Sequence, residues 1–141
     1  MYQRILVPLD GSSVAEEAIP YALELGRLSG GTLTLVRVIP HSMTAAELWH
    51  VRQNQLHEEA ELYLAEIAAQ PEVAAANPHR VVISGEVGPS LLNLTQQETY
   101  DILMMTTRDR RDPVRWILGS VADYLVQRAP IPVLLVRQRE A

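Results

Sequence analysis

The sequence predicts an α/β fold, a single-domain three-layer sandwich in which a parallel sheet is covered by helices on both faces. Three observations predict it. Five short apolar runs, at residues 4–9, 32–39, 80–84, 102–106 and 132–136, are mostly rich in Val, Ile and Leu with little polar alternation, as expected of strands buried on both faces. Segments of helical periodicity lie between them. The resulting order, β-α-β-α-β-α-β-α-β, supplies the helical crossovers that parallel strands require.

Each helix has its own signals. The first is expected over residues 13–29, with Ala15, Ala18, Ile19, Ala22, Leu23 and Gly26 along one stripe. Ser13 and Glu16 have capping-box spacing. Pro20 removes a backbone donor and predicts a kink, and Gly30-Gly31 ends the helix. The second is expected over 44–69, opened by Thr44 with Glu47 three residues later, with Leu48, Val51, Leu56, Leu62, Leu64 and Ile67 as its apolar contacts. The Ala-rich, Pro-bounded stretch 71–78 reads as a loop. A third helix is expected over 89–98 with Pro89 in its first turn. A fourth spans 120–128, with Ser120 and Asp123 at capping-box spacing and Ala129-Pro130 as its stop.

Composition narrows the chemistry. The chain has 141 residues, 48% apolar and 21% charged, an ordinary globular balance for one domain. It contains no Cys and no Phe, and all 12 of its basic residues are Arg. Without Cys there is no disulfide framework, thiolate nucleophile or Cys-ligated zinc. Without Lys there is no Walker-type phosphate lysine and no Schiff base. A net charge of −5 argues against nucleic-acid binding, which needs a basic surface. No window reaches the ~18 apolar residues of a membrane span. The apolar run near the start, Ile5 to Leu9, is five residues long and broken by Pro8, so no signal peptide is expected and the expected compartment is the cytoplasm.

In an open parallel sheet, ligands bind beyond the carboxyl ends of the strands. Two segments there have unusual chemistry. Asp10, Gly11, Ser12 and Ser13 follow the first strand. The carboxylate could accept hydrogen bonds from a ribose or an adenine amino group, or the segment could be a plain Asp-Gly turn before a Ser-capped helix. The second segment runs from Thr106 to Ser120. Gly119 lets backbone approach a ligand, and the helix opened by Ser120 favours an anion at its N-terminus. Arg108, Arg110, Arg111 and Arg115, against Asp109 and Asp112, leave this loop at +2. That is a modest anion bias, equally compatible with a solvated loop of internal ion pairs.

Other constellations are weaker. His50 and His57 share a helical face, but two turns separate them by about 10 Å, too far to share one ion. They read as surface histidines. Trp49 and Trp116 read as core-edge or interface packing, and Met104-Met105 as core. No His–Asp relay serves Ser12, Ser13 or Ser120, and nothing fixes His41 as a base, so no Ser hydrolase and no catalytic residue is expected. A response-regulator receiver needs a Lys the chain lacks and an acidic residue where the third run ends in Ser84-Gly85. A flavodoxin-like phosphate loop is also absent after the first strand.

Several segments, taken together, resemble the universal stress protein family. They are Ile5-Leu-Val-Pro-Leu-Asp-Gly-Ser12, Gly85-Glu-Val-Gly-Pro89, Asp101-Ile-Leu-Met-Met-Thr-Thr-Arg108, Leu118-Gly-Ser-Val-Ala-Asp123 and Ala129-Pro-Ile-Pro-Val-Leu-Leu-Val-Arg137. The resemblance implies a five-stranded parallel sheet of order 3-2-1-4-5, the adenine nucleotide alpha hydrolase-like arrangement. It also implies a homodimer, assembled through the strand between Pro132 and Val136. Part of that family binds ATP through Gly-x2-Gly-x9-Gly-Ser/Thr.

Here the corresponding residues are Thr106, Asp109, Gly119 and Ser120, so the spacing is kept and two glycines are lost. Thr106 is β-branched and crowds the site. Asp109 would bring a carboxylate toward a polyphosphate, a like-charge pair costing about 4 kcal/mol at ~4 Å and an effective dielectric of ~20. Arg108, Arg110 or Arg111 could offset it, or Asp109 could face solvent. Asp10 and Val38 match the family's adenosine side. The expected ligand-binding set is therefore Asp10, Val38, Thr106, Arg108, Gly119 and Ser120, with no metal. The expected function is a regulatory or binding module of the stress response with a degenerate nucleotide site. ATP binding is expected to be weak or lost, with room for a small adenosine-like ligand. The alternative is an ATP-binding member with slow or no hydrolysis, its loop rearranged around Thr106 and Asp109.

Overall fold

The structure, a computed structural model, describes residues 1–40, 46–107 and 119–138, with the side chains of 46–51 outside that description. Five strands, β1 (Arg4–Pro8), β2 (Thr32–Ile39), β3 (His79–Ser84), β4 (Ile102–Thr107) and β5 (Val133–Arg137), form one parallel sheet of order β3-β2-β1-β4-β5. The expected order holds. Strand ends differ by a residue, as at β5, where Pro132 has no N–H to give to a ladder and instead accepts the Leu103 N–H at 3.0 Å.

Strand periodicity divides the core in two. Ile5, Val7, Leu33, Leu35, Ile102 and Met104 face one way, packing with Ala18, Ile19 and Ala22 and with Leu64, Ile67 and Val73. Leu6, Val36, Leu103 and Met105 face the other way, against Leu91, Leu94, Ala122 and Leu125. The central strand is fully enclosed: Ile5, Leu6 and Val7 have no exposed surface. Burying each such side chain contributes roughly 1.5–3 kcal/mol, so the sheet centre is a stiff platform under the strand ends.

Six of the expectations for helices need correction. The segment expected to be one kinked helix is two, α1 (Ser13–Glu16) and α2 (Ile19–Ser29). The break falls before Pro20, which sits in the first turn of α2, where a missing N–H costs no intrahelical bond. Gly30 ends α2 in the left-handed conformation, φ 72°. Ser12, not Ser13, caps α1: its Oγ accepts the Ala15 N–H at 3.2 Å. In α3 (Ala46–Ala69) the buried stripe is Ala60, Leu64 and Ile67, while Leu62 points to solvent. The stretch expected to be a loop begins with a short helix, α4 (Pro71–Ala74), opened by Pro71 with Glu72 in its first turn.

The remaining helices are α5 (Val87–Gln97) and α6 (Ser120–Arg128). α5 starts two residues earlier than Pro89 suggested, because the first four N–H groups of a helix have no partner to lose. α6 has the expected bounds but not the expected cap. Gly119 is its N-cap, no side chain caps it, and Asp123 accepts from Gln127 at 3.0 Å instead of closing a box on Ser120. No described helix is long and apolar enough to cross a membrane.

Candidate functional site

The order β3-β2-β1-β4-β5 reverses direction at β1 and β4, and a crevice opens above such a switch point. A pocket of about 300 Å³ lies there. Pro8, Leu9 and Asp10 leave β1 along one wall, Met105 and Thr106 end β4, and Gly119 to Ala122 supply the start of α6. Val38 enters from β2, and Val87 and Leu91 from α5. Of the expected set, Asp10, Val38, Thr106, Gly119 and Ser120 line this one cavity. Arg108 lies outside the described residues, as do Asp109, Trp116, His41 and the side chains of Trp49 and His50.

Asp10 is the one charged residue among the described lining residues. Its Oδ1 accepts the Ser12 N–H at 2.9 Å and the Ser12 hydroxyl, an Asx turn that fixes the carboxylate at the strand end. The Asp-Gly turn is present: Oδ1 builds it, and the turn holds the carboxylate in the pocket wall. Val38 faces the α5–α6 side and offers an apolar surface. Thr106 faces the other side and is buried, its Oγ1 donating to the Ala15 carbonyl at 3.4 Å. Gly119 is extended, φ −62° and ψ 157°. It brings the uncapped N–H groups of Ser120 and its successors to the pocket, a region of positive potential.

Reasoning from motifs missed most of the apolar lining, Leu9, Val14, Val87, Leu91, Met105 and Val121 among it. These look like core residues in sequence, and several are. Met105, read as core, is both buried and pocket-lining. A polar group behind the Asp10 turn was also missed. The Arg37 guanidinium lies over the Tyr63 ring, 5.0 Å from its centroid, and the Tyr63 hydroxyl donates to Glu16 at 2.8 Å. Burial and the Glu16 carboxylate push the Tyr63 phenol well above its usual range. The one charge in β2 was the signal available.

Elsewhere, His57 sits on the surface and pairs with Glu61 at 3.1 Å. Among the described residues no group of three His, Cys, Asp or Glu could hold a metal ion.

Comparison with known proteins agrees with the fold. The model of the universal stress protein family matches residues 1–137. Universal stress protein MJ0531 of Methanocaldococcus jannaschii is 25% identical over 142 residues, covering 98% of this chain and 84% of the relative. Among solved structures, universal stress protein UspA from Lactobacillus plantarum superposes with a TM-score of 0.79 at 25% identity, over 96% of this chain and 98% of that one. A universal stress protein in complex with cAMP shares the fold, with a TM-score of 0.67 at 19% identity over 98% of both chains. With a family match that spans nearly the whole sequence and a sheet of the same order, the chain belongs to the universal stress protein family.

Proposed function

We propose that this protein is a regulatory, ligand-binding module of the stress response, not an enzyme, whose pocket takes an adenosine-like ligand and holds ATP weakly or not at all. The observation that carries this reading is the difference between the two ends of one cavity. On the adenosine side, Asp10 is fixed by its Asx turn beside apolar Val38. On the phosphate side, a buried β-branched Thr106 is tied to Ala15 where an ATP-binding relative has glycine. Glycine is needed where backbone must approach phosphate, and in the sequence Asp109 puts a carboxylate where the ATP-binding pattern has its second glycine. A volume of about 300 Å³ is at the small end of ligand pockets, which run to ~1,000 Å³. The cAMP of the related structure is an adenine nucleotide with a single phosphate, the size class that this cavity suits.

The test is a pair of calorimetric titrations, ATP into the wild type and into the Thr106→Gly, Asp109→Gly double variant. A gain of at least about ten-fold in ATP affinity in the variant supports the reading. Equal and tight binding to both contradicts it.

One observation favours the second reading, an ATP-binding member with slow or no hydrolysis. The Gly119-Ser120 end keeps an uncapped helix N-terminus facing the pocket, which suits a phosphate. Under that reading the wild type binds ATP and the double variant gains nothing.

The same proposal includes assembly and location: a homodimer through the β5 edge, in the cytoplasm, with neither nucleic acid nor membrane as a partner. β5 is an edge strand on which Leu134 is 38% exposed, with Tyr21 of α2 beside it. An open apolar edge of this kind invites pairing with another strand.

A further inference from the structure

Arg37 is the one charged residue in β2, on the same sheet face as Leu33 and Leu35. Core packing does not ask for a guanidinium there, and a partly buried charge is costly unless it has a task or a partner. Two contacts define its place. One side lies over the Tyr63 ring, a stacked arrangement suited to a flat guanidinium. The other side lies against Gly11: a Cβ built on Gly11 would come within 2.5 Å of Arg37 Nη1 and 3.2 Å of its Cζ. Gly11 itself has φ +87°, a conformation that other residues rarely adopt. The Asp10–Ser12 turn is thus clamped from outside by Arg37 and from inside by the Ser12 bonds to Asp10. Tyr63 extends the clamp to α1 through Glu16.

We infer that Arg37 is a positioning residue for the pocket. Its guanidinium, held between the Tyr63 ring and the Gly11 backbone, fixes the turn that presents Asp10 to the ligand. The ligand part of this inference rests on the adenosine-like reading of the pocket; the part about the turn does not.

The experiment compares the wild type with Arg37→Met, Arg37→Lys, Asp10→Asn and the double variant Arg37→Met, Asp10→Asn. Two readouts are taken: exchange of the Ser12 amide by NMR, and adenosine titration by calorimetry. Arg37→Met is expected to speed Ser12 exchange and to weaken adenosine binding, each about ten-fold. Arg37→Lys keeps the charge but lacks the plane that stacks on Tyr63, and is expected to behave like Arg37→Met. In the Asp10→Asn background Arg37→Met is expected to cost no further affinity, because its effect on the ligand runs through Asp10. Ser12 exchange within about two-fold of the wild type in Arg37→Met overturns the inference, as does full additivity of the two substitutions. A wild type that binds no adenosine ends the nucleoside reading instead, and Ser12 exchange alone then decides the role of Arg37.

Discussion

The Thr106 hydroxyl donates to the Ala15 carbonyl, joining the end of β4 to the short helix α1 in the wall of the pocket. A glycine at 106 could not make this link. Thr106 therefore has a structural role of its own. Replacing it with Val keeps the shape and removes the donor. Thr106→Val is expected to lower stability by about 0.5–1.5 kcal/mol, read by urea unfolding.

At the opposite end of the sheet, Asp101 acts as a staple. Its Oδ2 accepts the Gln3 N–H at 2.6 Å and the Arg4 N–H at 2.9 Å, tying the start of β1 to the segment that enters β4. Asp101→Ala removes both charge-assisted bonds. A loss of about 1–3 kcal/mol is expected, with no change in ligand binding, since this staple lies at the far end of the strands from the pocket.

Stability should also report on Tyr63. Burial first, and the Glu16 carboxylate second, raise its phenol above the ordinary value. The unfolded phenol titrates near ~10. Its neutral form is favoured in the folded state, so the contribution is full below ~pH 10 and is lost as pH climbs toward the folded value. Tyr63→Phe is expected to be less stable than the wild type at pH 8, with the difference shrinking above ~pH 10. A difference that stays constant to the alkaline limit contradicts this origin.

The β5 edge gives a test of assembly. Leu134→Glu puts a charge on an exposed apolar position of the edge strand, a change that folded monomers tolerate and paired edges do not. Light scattering is expected to report a dimer for the wild type and a folded monomer for the variant. A wild-type monomer rejects the dimer.

Most of the fold was legible because its signals are local. The enclosed run Ile5–Leu6–Val7 and the buried β4 have the unbroken apolar character of central parallel strands. The helix details were less legible because capping chemistry allows several answers. Ser12 and Ser13 both suit a cap, and only the chain path makes Ser12 the acceptor for Ala15. Ser120 and Asp123 have box spacing, yet Gly119 takes the cap position. For the site, Asp10, Gly119 and Ser120 stood out as residues with turn or loop chemistry. Val87, Leu91 and Met105 did not, because a residue lining a cavity from the core side looks like core in sequence. Arg37 meets Gly11 only through the approach of β2 to the loop after β1, a tertiary contact that no spacing rule reveals.

The most direct test of the central claim is calorimetric titration of the wild-type protein with ATP and, in parallel, with adenosine. Measurable adenosine binding is expected, with ATP binding weak or undetectable. Low-micromolar affinity for ATP would contradict it.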